Sequence, residues 1–154
     1  MTIIGEPVKY HHKYNFVVEI DDFSTANFIK CSALEAEIAK VETWSGGSLI
    51  AHKEPGRVTY SDITLEEGVT DSEDCYNWFK DCVEAYRNAG IVSPGYYRNL
   101  DIVQLDRDDT ELNRWTIEEA WVTKFVAGEW DNEADEAVIQ MMTLTFKLFK
   151  KPTD

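Results

Sequence analysis

The chain has 154 residues, and 29 aspartates and glutamates against 15 lysines and arginines give it a net charge of −14. This length predicts one domain over residues 1–154, with enough chain for a hydrophobic core without disulfides. The acidity disfavours sequence-specific binding to nucleic acid, and no apolar run approaches the ~20 residues that span a bilayer.

The N-terminal part predicts little regular structure before its first strand. Residues 1–13 show no clear period and are expected to form an arm. They also lack the layout of a signal peptide, which predicts synthesis in the cytoplasm. Alternation from Tyr14 to Ile20 predicts a strand with one buried face, and residues 23–29 are expected to form a loop.

A long hairpin follows. Residues 34–43 alternate with one change of phase, which indicates a β-bulge near Lys40. A glycine turn then leads into a return strand that begins at residues 49–52. We expect the hairpin, residues 39–51, to project beyond the core as a candidate interface; a hairpin that simply faces solvent is the alternative. The turn consists of Trp44, Ser45, Gly46, Gly47 and Ser48.

A second turn at Glu54-Pro55-Gly56 is expected to feed a strand over residues 57–65. One amphipathic helix then covers about residues 71–89, because Thr70 and Glu73 have capping-box spacing and Gly90 has the character of a C-terminal stop. Its apolar stripe recurs at helical spacing and is expected to pack on the core. The stripe comprises Cys75, Trp78, Phe79, Cys82, Val83 and Tyr86.

The cysteines are odd in number and show no CxxC spacing. Cys75 and Cys82 lie two helical turns apart, which is too far for a disulfide. The sequence therefore predicts free thiols.

The second half predicts strands only. A loop over 91–99 precedes a short strand at 102–105, and a return strand over 112–125 is interrupted at Glu118-Glu119, which suggests a bend. The longest strand is expected over 138–149, with Met142 and Leu144 facing the core. Its polar face is expected to line a watery space. That face carries Thr143, Thr145 and Lys147.

These elements predict a mainly β (α+β) fold, a sandwich or barrel-like sheet of six or seven strands with one helix. No nucleophile, phosphate-binding or metal motif occurs, so we expect no enzyme, no cofactor and no metal. The acidic loop over 128–136 favours a solvated surface over a cation site. Within it, Trp130 is expected to anchor in a pocket of its own chain or of a neighbour.

Several motifs occur in an order that resembles a known family. They are ANF at 26–28, SALEAEI at 32–38, ETWSGG at 42–47, HKEPGRVTYSDITLEEGVTDS at 52–72 and the stretch from LDIVQ to LTF at 100–146. Together they resemble the tail tube proteins of contractile phages, and most of all the tube proteins of phage-tail-like contractile injection systems. The likeness runs from Tyr14 to about Phe149.

The resemblance implies a barrel-like sandwich closed by one helix and homohexameric rings stacked into a hollow tube, with four strands of each copy lining the bore. Implied partners are further copies, a sheath protein, baseplate or tube-initiator proteins, a cap and effector cargo, within a virion-like particle. An initiator or baseplate-adaptor ring and a DNA-conducting phage tube are the alternatives. Expected contact residues are Trp44, Ser45, Gly46, Gly47, His52, Lys53, Pro55, Gly56, Arg57, Trp130 and Asp131.

Overall fold

The computed structural model describes residues 10–13, 15–23, 28–87 and 96–153, apart from the side chain of Tyr86. Within these residues, nine strands and one helix alternate with short turns. In chain order they are β1 (Phe16–Ile20), β2 (Phe28–Cys31), β3 (Ala36–Thr43), β4 (His52–Tyr60), β5 (Ile63–Gly68), α1 (Asp74–Arg87), β6 (Arg98–Leu105), β7 (Glu111–Val126), β8 (Ile139–Thr145) and β9 (Leu148–Lys150).

Strand β7 joins two antiparallel halves of one sheet. Its first half pairs with β6 and β9, and its second half pairs with β8. The sheet order is β1-β6-β7-β8-β5-β2, while β3 and β4 form a separate two-stranded ribbon. At the junction Glu119 has a positive φ of 51°, which places a sharp bend where the sequence predicted one.

The bend explains why the last long strand is broken. The sequence predicted one strand over 138–149, but β8 ends at Thr145 and β9 begins at Leu148. Because β8 pairs with β7 beyond the bend and β9 pairs with it before the bend, the chain must turn at residues 146–147 to follow its partner. There the Lys147 amide donates to the Glu118 carbonyl oxygen at 3.0 Å.

Other boundaries also differ from the predictions. The last two residues of the loop predicted over 23–29 belong to β2, and residues 54–56 lie inside β4 and not in a turn. The helix begins at Asp74, with Asn77 donating to the Glu73 carbonyl oxygen, so Glu73 holds the N-cap position that we assigned to Thr70. Residues 1–9, Gly90 and the loop residues 91–95 lie outside the described residues.

The core lies between the two halves of the sheet and under α1. Trp78 is fully buried on the helix, and its indole Nε1 donates to the Tyr96 carbonyl oxygen at 2.8 Å. Cys75 is also buried, and the three cysteines are free, as the sequence predicted. Largest among the other fully buried side chains are Ile63, Leu65, Leu100, Ile117, Met142 and Leu144. Three surfaces of this fold are not covered by any of the described residues.

Candidate assembly surfaces

The ribbon of β3 and β4 is the first uncovered surface. Every residue of β3 is exposed, and β4 is exposed except for half-buried Gly56 and Tyr60. Its apolar side chains include Ile38, Val41 and Val58, which are exposed to about half of their surface. A two-stranded ribbon that packs on nothing has only marginal stability in water. Exposed clusters of apolar side chains often mark sites of interaction with another molecule. The predicted projecting hairpin is therefore present, and it extends to Tyr60.

A bulge shapes the middle of the ribbon. Ile38 pairs with Val58 while Lys40 pairs with Pro55, so β4 carries the extra residue opposite the predicted position. A Cβ at Gly56 would lie 2.9 Å from the Ala39 carbonyl oxygen, which explains why glycine occupies the bulge. On the same strand His52 Nε2 lies 2.9 Å from Glu54 Oε1. Lys53 and Arg57 are exposed.

The ribbon ends in a tip, residues 44–51, that is ordered but uncovered. The Ser48 amide donates to the Ser45 carbonyl oxygen, and Gly47 adopts a φ of 78° that suits the turn. Trp44, Leu49 and Ile50 are 62%, 94% and 81% exposed. Three large apolar side chains of the tip are therefore exposed to solvent.

The second surface is the outer face of β2, β5, β8 and the second half of β7. Thr143 is central, since its Oγ1 lies 3.2 Å from Thr64 Oγ1 and its carbonyl oxygen accepts a hydrogen bond from Thr123 Oγ1. Thr145 lies two residues further along β8 on the same half-exposed face. We call this surface, comprising Thr64, Thr123, Thr143 and Thr145, the threonine face.

Lysines and few carboxylates border the threonine face. Lys30 lies 3.8 Å from Glu66, and Lys147 lies 4.0 Å from Glu119. Lys124 is exposed opposite Thr143. Lys147 lies in the break after β8 and not on a strand, so its predicted place on a continuous strand face was wrong. This face carries little of the chain's acidity.

The acidic loop forms the third surface. Trp130 is 73% exposed and lines an open cavity of about 440 Å³ together with Glu129, Asp131 and Glu136. The indole is therefore not buried in its own chain. In the part of the chain that the structure describes, no group of three or more metal-ligating side chains is close enough to hold an ion.

Sequence reasoning missed an ionic cluster on the opposite half of the sheet. Arg114 on β7 contacts Glu111 at 2.9 Å, Glu19 on β1 at 3.0 Å and Asp101 on β6 at 2.5 Å. These hydrogen bonds raise the pKa of Arg114 and lower the pKa of Glu111. The register between β1, β6 and β7 brings these four residues together, and the sequence pattern of a single strand does not contain that register.

A buried carboxyl was missed as well. Glu67 on β5 is 6% exposed, and Gln140 Nε2 donates to its Oε1 at 3.1 Å. Burial raises the pKa of Glu67, the Gln140 hydrogen bond lowers it, and nearby Asp74 raises it. No nucleophile is activated beside it, because burial also raises the pKa of Cys75 to about 12.

Comparison with known proteins identifies the family of the chain. Residues 12–150 match the family described as T4-like virus tail tube protein gp19. The chain belongs to this tail tube protein family. It is accordingly a structural tube subunit.

Solved structures share the fold. The chain is similar to one in an anti-feeding prophage tube-terminating cap, with 21% identity, a TM-score of 0.77 and coverage of 98% and 99% of the two chains. It is also similar to a chain in the sheath-tube complex of the PVC extracellular contractile injection system, with 20% identity, a TM-score of 0.76 and coverage of 96% of this chain and 94% of that chain. The similarity to Hcp1 from Flavobacterium johnsoniae is weaker, with 13% identity, a TM-score of 0.51 and coverage of 88% of this chain and 94% of that chain. The search of curated protein sequences found no relative.

This likeness and the elements of the chain itself confirm the mainly β fold with one helix that the sequence predicted. No helix among the described residues of this chain is long and apolar enough to cross a membrane.

Proposed function

We propose that this tail tube protein builds the inner tube of a contractile injection system, in which hexameric rings stack into a hollow conduit that a sheath propels. The observation that carries the proposal is the uncovered ribbon. Tyr60 packs against Phe146 and Phe149 at its base, but Ile38, Val41 and Val58 are exposed. Neither edge of the ribbon pairs with another strand among the described residues. A second copy would supply them.

The sheet supports ring closure. Within the described part of the chain, residues 121–126 of β7 pair with β8 on one side, and β2 pairs only with β5. The four strands around the threonine face therefore end there in two open edges. Joining these edges between copies would remove them, as closure does in barrels. Six repeats of four strands would then enclose a bore, with Thr143 and Thr145 on its wall.

The threonine face suits a conduit because its hydroxyl groups can form hydrogen bonds with water. The positive and negative charges beside it are also nearly equal in number. Cargo would meet a polar wall without strong attraction, while sheath, baseplate and cap proteins would contact the outside and the ends. A baseplate-adaptor ring of the same fold is the alternative role.

Negative-stain microscopy of the purified protein tests the proposal. We expect rings or tubes with a central hole, and a dispersed monomer at high protein concentration would contradict it. A single ring that never stacks would favour the adaptor role.

Labelling tests the orientation of the threonine face. In a Cys31→Ser background, Thr145→Cys in assembled tubes should react with a small maleimide but not with a maleimide on a long polymer, which the bore excludes. Equal labelling by both reagents in intact tubes would place the face on the outside. Disassembled protein serves as the control for thiol reactivity.

A further inference from the structure

An open groove lies at the base of the ribbon, next to β2. It has a volume of about 650 Å³ and is lined mainly by apolar side chains from β1, β2, β7 and β9. Among them are Phe16, Ile29, Leu34, Trp115 and Phe149. This volume lies within the range of pockets that bury a small ligand or a few side chains.

The groove and the ribbon tip share an unusual charge pattern. The chain has 29 aspartates and glutamates, yet among the described residues none lines the groove, where the charged side chains are Lys13 and Lys30. Residues 44–51 of the tip contain no ionisable side chain. Burying the tip in the groove would therefore remove no carboxylate from water, which is the costly step in joining two acidic chains.

The cavity beside Trp130 is a poorer acceptor. It is lined by four carboxylates, so an apolar occupant would desolvate them; they are Glu66, Glu129, Asp131 and Glu136.

The ribbon itself adds little charge repulsion between copies, because residues 36–60 contain three carboxylates and three lysines and arginines.

We propose that the groove is the acceptor for the ribbon tip of another copy of this chain, with Leu49 and Ile50 seated against Phe16, Ile29 and Trp115. This inference rests on the proposed function and specifies one of its contacts. Donor and acceptor are different surfaces of the same chain, so the contact is head-to-tail. Such a contact either closes a ring or continues from copy to copy along a filament.

The groove contains a native reporter for this contact. Cys31 lines it, while Cys75 is buried in the core. Leu49→Cys should change only an exposed side chain. If the tip enters the groove, the new thiol comes within cross-linking distance of Cys31 of another copy. Mild oxidation of assembled tubes should then give a ladder of covalent multimers on a non-reducing gel.

Three matched variants complete the test. Cys31→Ser with Leu49→Cys should lose the ladder, and Thr59→Cys, an exposed position on the ribbon away from the tip, should give none. Because burial raises the pKa of Cys31 to about 11 and slows its reaction, a third variant combines Cys31→Ser, Ile29→Cys and Leu49→Cys. This variant should restore the ladder.

Tubes that form without a ladder from either thiol pair would overturn this inference and leave the proposed function intact. Wild-type protein that forms neither rings nor tubes would overturn both.

Discussion

At Gly128 two segments of the chain approach too closely to leave room for a side chain. A Cβ at Gly128 would lie 2.5 Å from Val138 Cγ1, and the residue has a φ of 148°. Cζ2 of Trp130 would lie 3.5 Å from the same Cβ, which is an ordinary van der Waals distance, so the clash is with Val138.

Gly128→Ala should lower the free energy of unfolding by about 1–3 kcal/mol, because overpacking and an unfavourable backbone angle act together. Gly68→Ala is the matched control, since no atom lies within 4 Å of its added Cβ. Denaturant unfolding of both variants checks this. Equal losses would show that the contact with Val138 is not responsible.

Glu67 predicts a pH dependence with a definite sign. Its pKa is raised in the folded chain, so the folded state binds its proton more tightly than the unfolded state does. Its contribution to stability is complete below the unfolded pKa and is lost as pH rises through the folded pKa. Glutamine has no such proton to lose. The stability of Glu67→Gln relative to the wild type should therefore increase as pH rises from acid to neutral. Urea titrations across pH measure it, and parallel curves for the two proteins would contradict it.

At the scale of elements, local pattern predicted the helix stripe, the bend in β7 and the long hairpin. It failed where pairing decides the outcome. Pro55 and Gly56 have the composition of a turn, but β3 holds them in a strand through the bulge. Residues 142–148 alternate and were predicted to lie in one strand over 138–149, yet the bent partner β7 divides that strand. The Arg114 cluster likewise depends on register across three strands.

Arg114→Gln should destabilise the half of the sheet formed by β1, β6 and β7. It removes the cation shared by Glu19, Asp101 and Glu111 and leaves them to repel one another. We expect a loss of about 1–2 kcal/mol near neutral pH. Because Arg114 lowers the pKa of Glu111, this stabilisation is lost as pH falls through the folded pKa, and the difference should narrow in acid.

Lys80→Gln is the control, because it also removes one positive charge but changes an exposed lysine on the helix. Thermal unfolding of both variants distinguishes the loss of the Arg114 contacts from the effect of net charge. An identical loss in both proteins would refute the role of the cluster.

At the scale of the whole molecule, acidity opposes assembly. Each added copy brings a further charge of −14, so contacts between copies need their few cations. Arg57 is exposed on the ribbon and is a candidate for such a contact. Salt should help assembly, since the Debye length is only ~8 Å at physiological ionic strength.

Arg57→Glu should raise the protein concentration needed for tubes by roughly fivefold at low salt, as one exposed ion pair of about 1 kcal/mol would. Added salt should reduce the difference, and Arg57→Gln should lie between the two. Sedimentation of tubes measures the effect. Unchanged assembly of the glutamate variant would exclude Arg57 from the contact.

The central claim is that other copies cover the ribbon. Hydrogen exchange of the dispersed and assembled protein tests it most directly, because strand amides without a packed face exchange quickly. We predict that amides of Ala36–Thr43 and His52–Tyr60 exchange rapidly in the dispersed chain and become protected in tubes, while core strands β5 and β8 change little. Tubes in which the ribbon exchanges as fast as in the dispersed chain would contradict the account.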